Sequence, residues 1–301
     1  MREAFTDWTP RTKSTRALLA ASVQVIDEYT VQGYQLTLRQ LYYQLVARDI
    51  IPNSQRWYKR LGDVVSQGRL AGRIDWSAIV DRGRVPVKPP DWSSPAEILM
   101  SAVSSYRLDR WEGQQNHVEL WCEKDALSSV LEPIADRFHV RMLANRGYSS
   151  SSAMYDAARR FRAAEVRDQR VVVIYLGDHD PSGMDMTRDI RDRLGLMSYH
   201  QEIEVVRIAL NYDQVERYGP PPNPTKFSDS RAMGYVVEYG LESWELDALE
   251  PQTLDDLVSD AIEGLLDRQM YDEMIEREEA DKDRIRRAAE ELGESDGSQT
   301  F

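Results

Sequence analysis

The chain has 301 residues, 42% apolar and 30% charged, and a net charge of −13. That length favours two domains over one core, and the single cysteine, Cys122, excludes an intrachain disulfide or a thiolate metal cluster. No apolar run approaches the roughly 20 residues of a membrane span, and MREAFTDWTPRTKSTR lacks the apolar core of a secretion signal. The expectation is a cytoplasmic protein with no membrane partner. The four histidines never fall at metal-ligand spacing, and no G-x-x-x-x-G-K-[ST] loop marks a built-in ATPase. The acidity is concentrated at the C-terminal end: residues 1–113 carry a net +4, residues 114–237 a net −2 and residues 238–301 a net −15. A local basic face therefore remains available for phosphate despite the acidic total.

In chain order, residues 14–31 have apolar positions at helical spacing, with Ser14 or Thr15 as N-cap. Thr37 caps a second helix, LRQLYYQLVARD, and Ser54 a third, QRWYKRLGDVVSQGRLAG. Two helices, a tight turn and a basic helix outline a helix-turn-helix unit. The proline-bearing run DRGRVPVKPPDW (81–92) reads as a wing or linker, and residues 95–112 as a further helix. Beyond it, HVELWCE (117–123), VRMLANRG, RVVVIYLGDHD (170–180) and IEVVRIAL (203–210) read as strands separated by helices, which implies a parallel α/β sheet. GPPPNPTKF (219–227) reads as a loop, because its four prolines disfavour regular structure. The predicted division is a helical domain over 1–113, an α/β domain over 114–252 and an acidic helix with its tail over 253–301. That last helix reads as a dimer arm, a partner surface, a DNA mimic covering the basic face, or simply a solvated helix packed by Leu254, Leu257, Ile262 and Leu265.

Glu123 closes the first strand, and Asp178 and Asp180 close the strongest one. Ligands of an open parallel sheet bind beyond the carboxyl ends of its strands. If these two strands are neighbours, three carboxylates converge, and Mg²⁺ or Mn²⁺ suits such an oxygen donor set. Alone, Asp-x-Asp-Pro-x-Gly is as readily an acidic turn; a Glu ending an earlier strand of the same sheet shifts the balance towards metal. Asp125 and Asp185 read as helix N-terminal charges, and His179 as a solvated turn residue. On the second predicted helix, Arg39 lies three residues before Tyr42 and four before Tyr43, so it shares a face with both. Such a pair is commonly core packing. It also suits attack on a phosphodiester, where a phenol of ordinary pKa near 10 needs a guanidinium and a metal to assist it. Arg56, Lys59, Arg60, Arg69 and Arg73 follow as a basic face that is either solvated or laid on DNA phosphates.

Three stretches, CEKDALSSVLEPIADRF, NRGYSSSSAMYDAARRF and LGDHDPSGMDM, resemble the Toprim domain of the topoisomerase VI A subunit and the meiotic double-strand-break protein family. TLRQLYYQL resembles the catalytic helix of that same family, carried on a winged-helix (CAP-like) domain. The resemblance covers roughly residues 35–85 and 117–190 and is nearest to the compact mini-A relatives. It implies Glu123, Asp178 and Asp180 as Mg²⁺ ligands, Tyr43 as nucleophile with Tyr42 as its variable neighbour, and Lys124 as a phosphate contact or a surface lysine. It further implies a homodimer that joins Tyr43 of one subunit to the metal cluster of the other, 5′-phosphotyrosyl breaks in double-stranded DNA at the nucleoid, and a GHKL-type ATPase B-like subunit where strand passage occurs. LESWELDALEP (241–251) loosely resembles the family's closing segment, with no chemistry assigned. Two rivals remain: a Toprim nuclease that activates water on the metal, and a DNA-binding protein that keeps the fold without catalysis.

Overall fold

Side-chain caps start the first two N-terminal helices, while Ser54, the expected cap of the third, makes no cap hydrogen bond; a shared apolar core holds all three. The computed structural model describes residues 3–80, 89–145, 147–198 and 202–297. Helix α1 (Lys13–Val31) begins one turn position earlier than the sequence suggests, because Thr12 rather than Ser14 or Thr15 accepts from a first-turn N–H. Helix α2 (Leu38–Ala47) starts at Thr37 in a full capping box with Gln40, and α3 (Gln55–Leu70) follows Ser54. Leu18, Ile26, Leu41, Leu45, Leu61 and Val65 from the three helices are buried together. Of the expected wing, residues 81–88 lie outside the described residues, as does Arg146.

Helix α4 (Pro95–Ser105) is shorter than expected and leads to the α/β part. There β1 (Asn116–Cys122), β2 (Arg141–Ala144), β3 (Arg170–Leu176) and β4 (Ile203–Ala209) form a parallel sheet in the order β2-β1-β3-β4. Strand β3, in the interior of the sheet, has both faces covered, which explains its unbroken apolar run. Val172, Ile174 and Leu176 pack with α5 (Ser128–Phe138), while Val171, Val173 and Tyr175 pack with α6 (Ser151–Glu165) and α7 (Pro181–Met197). After α8 (Tyr212–Tyr218), the proline-rich loop contributes a two-residue strand, β5 (Asn223–Pro224). It pairs antiparallel with β6 (Glu242–Ser243), beyond α9 (Ala232–Tyr239). Pro224 is tolerated because this ribbon has only two strands, so its missing N–H faces no neighbour.

The expected C-terminal helix is two helices. Helix α10 (Pro251–Glu263) places Leu254, Val258 and Ile262 in the core under the sheet, so this segment packs with the α/β part rather than with the tail. Helix α11 (Arg268–Gly297) runs along α4 and takes Arg107 and Arg110 onto its wholly buried Glu278. Among the described residues no helix is long and apolar enough to cross a membrane.

A charged residue of β1 is buried away from the strand ends. Glu119 on β1 is 1% exposed and accepts from Arg160 Nε at 2.6 Å and Nη2 at 2.8 Å. Burial pushes its carboxyl up, but the bonds from Arg160, His117 and Trp121 outweigh that and bring it down to about 2. Removing one partner of such a pair strands the other charge. Arg160→Ala is therefore expected to cost about 3 kcal/mol in urea unfolding at neutral pH. With a folded pKa below the ordinary 4.5, the Glu119 contribution is complete above pH 4.5 and lost as pH falls through about 2. The stability gap between wild type and Glu119→Gln should close over that window.

Candidate active site

Strand order reverses between β1 and β3, because β2 lies outside β1 and β4 outside β3. The crevice at such a switch point is where an open parallel sheet binds ligands, and here both expected carboxylate strands end in it. Glu123 N donates to Leu176 O at 2.8 Å, and Asp178 N donates to Glu123 Oε2 at 2.8 Å. Glu123 thus ties the two strand ends together, and burial pushes its carboxyl up. Asp180 caps α7, with Oδ1 accepting from Gly183 N at 2.6 Å. Beneath the turn, Arg207 of β4 donates to the carbonyls of Gly177, Asp178, Gly183 and Leu210 at 2.6–3.1 Å. Four backbone oxygens on one guanidinium fix the path of the acidic turn.

Residues 242–248 bring in two further acids. His179 and Trp244 exchange backbone hydrogen bonds of 2.9 Å, and Leu246 N donates to Asp178 Oδ1 at 2.8 Å. Glu245 and Asp247 consequently stand beside Asp178, and oxygens of these three residues all lie within 4.8 Å of one another. Among the described residues this is the one carboxylate group compact enough for a single ion; the trio expected from sequence shares only Asp178 with it. Glu123 and Asp180 line the same cleft, each already engaged by a backbone N–H. The all-oxygen donor set fits a hard divalent cation. Asp247, with no exposed side-chain surface, also keeps Oδ2 without a hydrogen bond, although Arg39 Nε approaches to 2.9 Å.

Sequence reasoning gave Glu245 and Asp247 no role, yet a signal was present. Glu245-Leu246-Asp247 repeats the pattern of Asp178-His179-Asp180, an acid on each side of a buried residue, and 241–267 contains no Lys or Arg. His179 is not the expected solvated turn residue. It is 1% exposed, its Nδ1 lies 2.6 Å from the Tyr235 hydroxyl, and burial among Tyr235, Tyr239 and Trp244 lowers its pKa to about 4.

Lys124 lies between the three acids. Its Nζ is 2.7 Å from Asp178 Oδ1 and 2.8 Å from Asp247 Oδ1, and it also bonds Glu245. Burial disfavours the ammonium, but Asp247, Asp178 and Glu245 outweigh that and hold its pKa well above the ordinary value. Lys124 is thus neither a surface lysine nor directed only at substrate.

Helix α2 supplies the opposite wall. Arg39 reaches Glu245 at 2.6 Å and Asp247 at 2.9 Å, and its guanidinium carbon is 5.9 Å from the Tyr43 ring centroid. The two adjacent tyrosines diverge. Tyr42 donates to Asn53 Oδ1 at 2.9 Å and accepts from Ser54 N at 2.6 Å, so its hydroxyl stitches the turn into α3. Tyr43 instead lines the cleft, accepting from Asn223 Nδ2 at 3.2 Å; burial raises its pKa. The cross-subunit site implied by the family resemblance is not needed to bring these groups together, because Tyr43 and the acidic cluster of one chain share a cleft.

That cleft, of about 1180 Å³, is lined by Arg39, Tyr43, Glu123, Lys124, Asp178, Asp180 and Glu245, and also by Lys226 and by Arg231, which is paired with Asp185 and Asp229. The N-terminal end of α7 opens into it through Pro181 and Ser182, so the positive pole of a 17-residue helix faces the space. The expected basic face lies outside this lining. Arg56, Lys59 and Arg73 are exposed, Arg60 stacks on Trp57, and Arg69 is folded onto Trp76 and its carbonyl. No family model, curated protein or solved structure matches the chain.

The turn leaves no room for a side chain at Gly183. A Cβ there would lie 2.3 Å from Asp178 O and 3.0 Å from Glu123 Oε2, whereas at Gly195 on the same helix it would meet nothing within 4 Å. Gly183→Ala should destabilise by about 1–3 kcal/mol, and Gly195→Ala should stabilise by up to about 1 kcal/mol. Urea unfolding of both variants checks the contrast; equal effects would contradict it.

Proposed function

We propose that this chain cleaves double-stranded DNA by divalent-metal-dependent transesterification, with Tyr43 as the nucleophile. The observation that carries the reading is that Tyr43 lines one cleft with Asp178 and Glu245, whose carboxylates cluster with the buried Asp247 behind them. The three-helix unit is read as the DNA-binding domain and the sheet as a Toprim-like domain, in keeping with the sequence resemblance.

The tyrosyl oxygen bonds to a backbone phosphorus as the bond from phosphorus to the 3′ oxygen breaks. The phenol loses its proton, the departing 3′ oxygen gains one, and a 5′-phosphotyrosyl ester remains. Because ester replaces ester, reversal reseals the strand. Asp178, Glu245 and Asp247 would hold Mg²⁺ or Mn²⁺, which when bound neutralises charge developing on the phosphate. Asn223 orients the Tyr43 hydroxyl by donating to it, leaving its proton free to depart. Arg39, on the same helix, keeps the tyrosine against the acidic wall. The α7 N-terminus and Lys226 favour a phosphate within the cleft, while Arg56, Lys59 and Arg73 extend the contact along the duplex. Two copies would supply the two cuts of a double-strand break, and strand passage would call for a GHKL-type ATPase partner.

Supercoiled DNA incubated with the protein and Mn²⁺, stopped with detergent and split with and without protease, tests the reading. Protein-linked 5′ ends are expected from wild type and Tyr42→Phe, and none from Tyr43→Phe. Tyr42→Phe should be less stable by about 1 kcal/mol through loss of its hydrogen bonds. Cut DNA with free ends, equally produced by Tyr43→Phe, would show water as the nucleophile. Binding without any cut would show a DNA-binding protein without this chemistry.

A further inference from the structure

We propose that Lys124 and a divalent cation are alternative occupants of the Asp178–Glu245–Asp247 cluster, so that metal loading expels the lysine ammonium. The inference rests on the metal-dependent reading above and concerns how this chain controls its own site.

The Lys124 ammonium contacts all three carboxylates, at 2.7 Å to Asp178 and 2.8 Å to Asp247, with Glu245 as its third partner. Magnesium bound by the same oxygens at about 2.1 Å would lie in the volume that the ammonium fills. Charge points the same way. Arg39 pairs with both Glu245 and Asp247. With Arg39 in place, a divalent ion neutralises three carboxylates, whereas Lys124 leaves one negative charge over. A cluster this buried tolerates residual charge poorly, so the exchange improves its balance. Keeping both cations would press an ammonium against a dication.

Lys124 is also built to leave. Its side chain, although only 14% exposed, is a flexible four-carbon stem and lines the cleft through which an ion would enter. Its neighbours cannot make the same movement. Asp178 is held by Leu246 N, and Glu123 by Asp178 N. Of the two cations on the cluster, Arg39 pairs with Glu245 and Asp247 from the more exposed side, whereas Lys124 alone contacts all three carboxylates and so stands where an ion shared by them would sit. The consequence runs against intuition: removing this cleft lysine strengthens metal binding.

Titration calorimetry of the full chain with Mn²⁺ tests the exchange, using wild type, Lys124→Met and Asp178→Asn. If the ammonium-free form is a minority of about 10%, its removal should tighten apparent binding about tenfold; Asp178→Asn should abolish it. Equal or weaker binding by Lys124→Met, with wild type binding and Asp178→Asn not, overturns the exchange and leaves the metal-dependent reading standing. No binding by any of the three removes both. Should Lys124→Met fail to fold, reductive methylation of the wild-type protein read by mass spectrometry decides the matter. Labelling of Lys124 is expected to rise at saturating Mn²⁺, and unchanged labelling overturns the proposal.

Discussion

Everything at the candidate site depends on one ion network, in which Lys124 and Arg39 bind the carboxylates of Asp178, Glu245 and Asp247. Its members come from four places in the chain: helix α2, the end of β1, the end of β3, and the segment after β6. Buried charges are costly unless each finds several partners, and here the two cations between them make five ion pairs. Apolar contacts carry the same join. Leu246 is buried in the core under the sheet while Ala248, two residues on, is buried among α1–α3. One short turn thus belongs to both cores and sets the distance between Tyr43 and the acids.

The sequence made the α/β architecture legible because β3 is a β-branched run covered on both faces, and its acidic exit turn is local. Arg39 and Tyr43 were likewise readable, since helical spacing alone puts them on one face. What could not be read is the carboxylate set itself. Asp178 lies 67 residues from Glu245, and nothing local reveals that His179 and Trp244 pair their backbones. The same pairing removes His179 from solvent, where an isolated turn residue would be expected. Lys124 was ambiguous for a related reason: a lysine after a strand end is ordinary until three acids surround it. Within the N-terminal basic run, Arg69 packs on Trp76 and bonds its carbonyl, a contact that the pattern of charges alone does not reveal.

A division of labour emerges between adjacent residues. Tyr42 and Tyr43 are chemically identical neighbours, but one hydroxyl is bound by the turn into α3 and the other faces the cleft. Asp178 and Asp180 divide similarly: the first joins the acidic cluster, and the second caps α7 and aims its positive pole at the same space. Arg207 holds the turn on which both depend.

The most direct measurement is anomalous diffraction from a crystal of the full chain grown with Mn²⁺. A single strong peak bounded by oxygens of Asp178, Glu245 and Asp247 is expected. A peak held instead by Glu123, Asp178 and Asp180, with Lys124 still bound to Glu245 and Asp247, would contradict that expectation.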